Sequence, residues 1–229
     1  MRYSLSTNSA KWSGSMFTLY QYLHCPFCVR ADMVANYTDV PHKKVLLLND
    51  DDETCHQLIG KKMVPILQPD NGSAMGESLD IVAKILSLAP ADKQLQPAQQ
   101  AEKVTALLSE YSSDMNGLLF PRNILIDQPE FATAAARDYF QAKKEKVIAM
   151  TFAEAMSQSE HYIARVNEML SKLPPLKASA SLGMDDVLTF PFLRNLTMVK
   201  GLQWPQPVEQ YVDDIAALTD IHLYWQQAV

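Results

Sequence analysis

At 229 residues, 48% of them hydrophobic, the chain is long enough to bury one large core or two smaller ones. A net charge of −6 at pH 7 with no basic cluster argues against a nucleic-acid partner, which needs a cationic footprint. Three cysteines are too few for a secreted disulfide framework and point to a reducing compartment, the cytoplasm, and no apolar run approaches the ~18 to 20 residues that span a bilayer.

Residues 1–15 are polar and serine-rich and lack the apolar stretch of a secretory signal, so a flexible extension is expected there. The patterned sequence starts at Met16. An apolar run, Phe17 to Tyr22, leads into Cys25-Pro26-Phe27-Cys28 and then into helix-compatible Val29 to Ala35. A strand, a cysteine pair and a helix form the layout of a thiol redox site. A sulfur at a helix start meets unpaired backbone N–H groups and the positive end of the helix dipole, both of which favour the thiolate, the species that attacks. The competing reading of Cys-x-x-Cys is half a zinc site. Only Cys55 and five scattered histidines remain as ligands, with no second Cys-x-x-Cys, so no metal is expected.

Turn chemistry at Asn36 to Pro41 ends the helix, and His42 to Leu48 suits a second strand. Asn49 or Asp50 can cap a short helix with an acidic first turn, which Gly60 closes. Val64 to Leu67 and Ala74-Met75 flank Asp70-Asn71-Gly72, which predicts an antiparallel hairpin. From Glu77-Ser78 onward, Leu79, Val82, Ile85, Leu86 and Leu88 recur at helical spacing. The order β-α-β-α-β-β-α predicts an α/β thioredoxin-like domain over residues 16–88. Residues 89–97 lack apolar period and suit a linker. Residues 98–229 show only helical periodicity, with breaks expected at Pro121, Pro129, Pro174-Pro175 and Pro205/Pro207, so an all-α second domain follows. Of the lesser candidates, Cys55 is expected to be an ordinary half-buried thiol and Lys61-Lys62 a solvated pair. Arg30 is either a solvated charge or a support for the thiolate, and Phe190, Phe192 and Trp204 are expected in the core.

Cys25-Pro26-Phe27-Cys28, Leu47 to Asp51, Val64 to Gln68, Glu77 to Val82, Ala134 to Phe140 and Phe190 to Thr197 together resemble the glutaredoxin 2 family, two-domain glutaredoxins built like glutathione transferases. The resemblance runs from Met16 nearly to the C-terminus. It implies a glutathione-dependent thiol–disulfide oxidoreductase whose partners are glutathione, as co-substrate, and glutathionylated or disulfide-containing proteins; the lack of a long apolar run speaks against a membrane partner. It implies Cys25 as nucleophile and Cys28 as buried resolving thiol. It implies a cis bond before Pro65 with the Val64 backbone pairing with the cysteine part of glutathione, Phe27 as an aromatic wall, and Glu77-Ser78 holding the γ-glutamyl end. The residues agree on the last point, since a carboxylate, a hydroxyl and free N–H groups at a helix start can hold an amino acid head.

Three positions depart from the family pattern: Phe27 replaces a frequent tyrosine, Leu23 a frequent acidic residue before the histidine, and Gly183 a Ser/Thr cap three residues before Asp186, which weakens that cap. Two other functions share the architecture: a glutathione transferase, which needs no Cys28, and a non-catalytic binding protein, against which an intact Cys-x-x-Cys argues.

Overall fold

The structure, a computed structural model, describes residues 16–229; the extension expected at residues 1–15 lies outside them. Strand β1 (Phe17–Gln21) buries Phe17, Leu19 and Gln21 on one face, as period-2 side chains require. It is the centre of a three-stranded sheet of order β2-β1-β3. β2 (His42–Leu46) runs parallel, from Phe17 opposite His42 to Gln21 opposite Leu46. β3 (Ile66–Pro69) runs antiparallel, with Thr18 opposite Gln68. A parallel pair needs a crossover, and helix α1 (Pro26–Thr38) supplies it. β2 ends two residues short of expectation because β1 ends at Gln21, already paired with Leu46.

Helix α2 (Asp52–Ile59) is capped by Asp51, whose side chain accepts from Thr54 N at 2.9 Å, and not by Asn49 or Asp50. Asn49 is committed elsewhere: its N–H donates to the Glu130 carbonyl at 2.9 Å. Gly60 closes α2 with φ +74°, as expected. The predicted hairpin shrinks to one antiparallel bridge between Leu67 and Met75. Gly76 then presses on Met63, where a Cβ would lie 2.2 Å from Cε, and Glu77 at φ 65° turns the chain into helix α3 (Ser78–Leu88), so no fourth strand extends.

The second half is helical: α4 (Ala101–Glu110), α5 (Ser112–Asn123), α6 (Ala134–Ile148), α7 (Phe152–Ser157), α8 (Ser159–Lys172), α9 (Met184–Leu196) and α10 (Gln206–Thr219). The architecture is thus a thioredoxin-like N-terminal domain joined to an all-helical C-terminal one. Pro121 does not break the chain but sits buried in the last turn of α5, where the missing N–H costs one ladder bond and the ring is covered. At Gly117 in the same helix the Tyr162 ring lies where a Cβ would be, 2.7 Å away, which lets α8 close on α5. Gly183 caps α9 without a side chain, but Asp186 Oδ2 accepts its N–H at 2.8 Å while Oδ1 accepts from Tyr211 at 2.8 Å. That anchorage offsets the weak cap.

One apolar core crosses both halves, joining Leu19, Met33 and Val34 to Leu118, Phe190 and Val212. Helix α1 lies at its centre, between α3 on one side and α9 and α10 on the other. Polar ties reinforce it. Buried Arg194 donates to the Leu23 carbonyl (2.7 Å), the His222 carbonyl (2.8 Å) and the Tyr224 hydroxyl (2.6 Å). Asn195 Nδ2 donates to the His24 carbonyl at 2.7 Å. Among the described residues no helix is long and apolar enough to cross a membrane.

Replacing Arg194 by Leu leaves the Leu23 carbonyl without its donor, takes a donor from the His222 carbonyl, and takes the guanidinium from the Tyr224 hydroxyl, which keeps only its bond to Gln128. We expect a loss of roughly 3 kcal/mol or more, read as a lower midpoint in urea unfolding.

Candidate active site

Cys25 occupies the N-cap position of α1 in extended conformation, with Pro26 in the first turn, where a missing N–H costs nothing. The Cys25 sulfur makes no close capping hydrogen bond and lines the cavity, where it is open to react. Cys28 lies one turn on, 1% exposed, its sulfur 3.5 Å from Tyr22 N. The Cys28 thiol donates to the Cys25 sulfur, and this hydrogen bond is the main force that lowers the Cys25 pKa. Burial opposes it, while the charge of His24 and the backbone N–H groups of Cys28 and Phe27 assist. The outcome is a pKa of about 6. Burial first, then the Cys25 sulfur, pushes Cys28 well above the ordinary thiol value. The proton shared by the pair therefore stays on the inner sulfur.

Cys25 opens into a cavity of about 850 Å³ between the two halves. Tyr22, Phe27 and Val64 form one wall, and Leu108, Met115, Leu119, Phe120 and Phe192 from α4, α5 and α9 form the other. Phe27 meets Phe192 edge to face, centroids 6.2 Å apart. Among the described residues four cations line the space, Arg30, Lys62, Lys143 and Lys144, and no carboxylate does. Arg30 is wedged between Phe27 (4.9 Å) and Phe192 (5.5 Å), a placement that makes it part of the wall and not a solvated charge. Lys62 pairs with Asp52 at 3.0 Å and lies over the Tyr22 and Tyr139 rings, contrary to the expectation of a solvated side chain. Tyr139 donates to the same Asp52 at 2.6 Å and accepts from Lys143, tying α6 to α2. Lys144 sits 4.6 Å from the Phe120 ring, and burial lowers its pKa against the pull of the Cys25 thiolate.

Of the residues singled out in the sequence, Cys25, Phe27 and Val64 meet in this cavity, with Cys28 beneath. The Val64–Pro65 bond is cis, and Pro65 is buried. Glu77 and Ser78 do not line the cavity. They start α3 beside Met63, where Glu77 is exposed and paired with Lys61 at 3.2 Å. Cys55 is fully buried, not half-buried, with Tyr22, Leu47 and Ile66, and burial raises its pKa. Phe190 is core as expected, whereas Phe192 faces the cavity. Among the described residues no three His, Cys, Asp or Glu side chains gather into a metal-ligand set.

Sequence reading missed the groups that set the loop before Cys25. Glu130, in the 3-10 turn Pro129–Phe131, accepts from His24 N (2.8 Å) and contacts Nδ1 (2.6 Å), while Asn195 and Arg194 hold the two preceding carbonyls. Burial pushes the Glu130 carboxyl up, yet the His24 hydrogen bonds and charge outweigh it and hold the group below the usual carboxylate range. Arg194 and Asn195 fall in the Phe190 to Thr197 stretch of the resemblance, but no local pattern assigns them or Glu130 to the cysteine loop, which lies 171 and 106 positions away.

Residues 103–228 match the family described as glutaredoxin 2, C-terminal domain, and residues 19–94 match the glutathione S-transferase N-terminal domain. Glutaredoxin 2 of Escherichia coli strain K12 is 38% identical over 216 residues, which cover 92% of this chain and 99% of that protein. The crystal structure of glutaredoxin 2 from Salmonella typhimurium in complex with glutathione superposes with a TM-score of 0.84 at 36% identity, covering 93% and 99% of the two chains. A glutathione transferase from Phanerochaete chrysosporium, at 15% identity and TM-score 0.60 over 88% of this chain and 96% of its own, shares the fold.

Because the thiolate is the reacting form, alkylation of Cys25 by iodoacetamide should rise with pH, reach half its plateau near pH 6 and level off above it. Replacing Cys28 by Ala removes the leading hydrogen bond, so the half-rise should move to higher pH. Both are read from initial rates across a pH series.

Proposed function

The chain belongs to the glutaredoxin 2 family and is an oxidoreductase of the glutaredoxin type, and from that premise we propose that it reduces protein–glutathione mixed disulfides and protein disulfides with glutathione as co-substrate. The observation that carries this reading is the sulfur pair: an outward Cys25 with a pKa of about 6 above a buried, protonated Cys28.

In the proposed reaction the Cys25 thiolate attacks the glutathione sulfur of a mixed disulfide. The protein thiolate leaves and takes up a proton, and Cys25 now carries glutathione. A second glutathione thiolate attacks that glutathione sulfur, forming glutathione disulfide and freeing the Cys25 thiolate. With a protein disulfide, Cys25 attacks one sulfur, and Cys28, after losing its proton, attacks Cys25. The second protein thiol leaves, and the internal disulfide is reduced by two glutathiones. A low pKa makes Cys25 a good leaving group when the second glutathione attacks the glutathione sulfur it carries.

The cavity fits the co-substrate in size, since small-ligand sites run to roughly 300 to 1,000 Å³, and its carboxylate-free cationic lining suits a tripeptide with two carboxylates. We assign the cysteine part to the Val64 backbone at the Pro65 turn, the aromatic wall to Phe27, and the γ-glutamyl end to the start of α3 at Glu77-Ser78, whose first N–H groups lack helical partners. The Salmonella relative's complex with glutathione supports the same ligand. Residues 16–88 act as the glutaredoxin domain, residues 89–97 as linker and residues 98–229 as the helical domain. The cytoplasm is the compartment whose reducing poise suits this chemistry, with no metal, nucleic acid or membrane required.

The transferase alternative fits less well. Conjugation needs no second thiol, yet Cys28 sits in hydrogen-bond contact beneath Cys25. In a glutathione-coupled exchange assay Cys25→Ser should lose activity entirely. Cys28→Ser should keep deglutathionylation and lose most protein-disulfide reduction. Parent-like activity in Cys25→Ser, or conjugation of a model electrophile outpacing exchange, would overturn the reading.

A further inference from the structure

The helical wall of the cavity carries a cation with no acidic partner. Lys144 Nζ lies over the rings of Phe120 (4.6 Å to the centroid) and Phe140 (5.7 Å) and lines the cavity, yet it forms no ion pair or hydrogen bond among the described residues. The other three cations are committed: Lys62 to Asp52, Lys143 to the Tyr139 hydroxyl, and Arg30 to the gap between Phe27 and Phe192. Beside Lys144, helix α5 presents Asn116, Phe120 and Asn123 to the same space, at positions i, i+4 and i+7 that share one helix face. Asn116 is half-buried, and its amide has no hydrogen-bond partner among the described residues. A half-buried cation and an open amide on a mostly apolar wall are groups that an anionic, hydrogen-bonding ligand satisfies.

The glutathione already assigned to Cys25 leaves this wall open. Its places are Val64, Phe27 and the start of α3, and Glu77 and Ser78 lie outside the cavity lining, so it runs along the N-terminal half and away from α5 and α6. Discharge of that glutathione needs a second thiol, and the direction of its approach is fixed. Exchange at a disulfide sulfur is in-line, so the attacking sulfur stands opposite the leaving one, and Cys25 leaves toward the N-terminal wall. The attacker therefore comes from the helical side, which Asn116 and Lys144 face. An extended tripeptide spans roughly 10 Å, comparable with the width of a cavity of this volume. We propose that the α5–α6 wall is the subsite for the incoming glutathione: Lys144 binds one of its carboxylates and Asn116 hydrogen-bonds its peptide groups, which aims its sulfur at the glutathione on Cys25. The inference rests on the proposed reaction. In this step the incoming thiol gives its proton to solvent, and its thiolate forms the S–S bond of glutathione disulfide with the bound glutathione sulfur. The bond to Cys25 breaks, and its electron pair leaves on the Cys25 thiolate. By the same in-line rule a protein thiol departs toward this wall in the first half-reaction, but it needs no carboxylate to do so. Lys144 is thus a specificity-determining residue for the reductant, a small thiol that carries a carboxylate.

The test uses the full-length protein carrying Cys28→Ser, so that glutathione on Cys25 is not displaced from within. The adduct is formed with glutathione disulfide and verified by mass. It is then discharged with an excess of glutathione or of 2-mercaptoethanol, a thiol without a carboxylate, and the second-order rate constants are compared at one pH. Lys144→Met keeps a stem of similar length on the Phe120 and Phe140 rings and removes the charge. With glutathione its rate constant should fall roughly tenfold, as loss of one charged hydrogen bond predicts, and with 2-mercaptoethanol it should stay within about twofold of the parent. Lys144→Arg should restore most of the glutathione rate, since it keeps the charge. Asn116→Ala should show the same selectivity with a loss of about threefold, and it decides alone if Lys144→Met does not fold. An equal loss with both thiols means that Lys144 acts on the Cys25 sulfur or on the glutathione already bound, and it overturns the proposal. An unchanged rate with glutathione does the same. Failure of the adduct to form overturns the proposed reaction and the subsite with it, whereas an adduct discharged without regard to these residues overturns only the subsite.

Discussion

One proton between two sulfurs governs the rest of the site. Cys25 and Cys28 stand a turn apart at the start of α1, and a charge on Cys28 would be surrounded by packed side chains, so the proton remains there and points outward. The hydrogen bond that results stabilises the thiolate at Cys25, where the cavity gives access. Depth is the first cause of the asymmetry between two chemically identical groups, and the backbone N–H groups at the start of α1 add to it. The packing of β1 and α1 sets that depth, through buried Leu19, Val29 and Met33.

The helical domain completes the arrangement in two ways. Helices α4, α5 and α9 supply the apolar wall facing Cys25, and α6 supplies two of the four cations. Residues of α9 and of the turn at Glu130 hold the backbone of Leu23 and His24, the last two residues before the nucleophile. The cysteine loop is thus clamped from outside its own domain. Because α1 shares a core with α9 and α10, the clamp is rigid and not a loose docking.

Much of the N-terminal domain was legible in the sequence because its signals are local. The strand before Cys25, the helix after it, the glycine closing α2 and the start of α3 each depend on neighbours within a turn or two. What escaped depends on distant partners. Asn49 suits a cap, but a contact with Glu130 claims it and leaves Asp51 to cap α2. Pro121 suits a break, but in a buried final turn its cost is small. Lys62 resembles a solvated charge until Asp52, Tyr22 and Tyr139 close around it. Cys25 was marked by its spacing, Phe27 and Val64 by the resemblance, and Arg194 and Asn195 only as members of the Phe190 to Thr197 stretch, whereas Glu130 carried no mark at all.

The cavity's charge runs against that of the chain. A protein of net charge −6 lines its reactive space with cations and no carboxylate, on walls that are mostly apolar. In such surroundings charges act over longer distances than in water, and the action is mutual. Lys144 loses basicity through burial and regains some of it from the Cys25 thiolate, just as the thiolate gains from positive charge around it. Forming a disulfide at Cys25 removes the negative charge that half-buried Arg30 and Lys144 face, while Lys62 keeps its pairing with Asp52. Under the proposed reaction the group that arrives is an anionic tripeptide, so its carboxylates replace the charge that the sulfur gives up. A neutral thiol bound in the same place would leave half-buried Arg30 and Lys144 without that negative charge, which under the proposed reaction is a physical ground for preferring an anionic thiol.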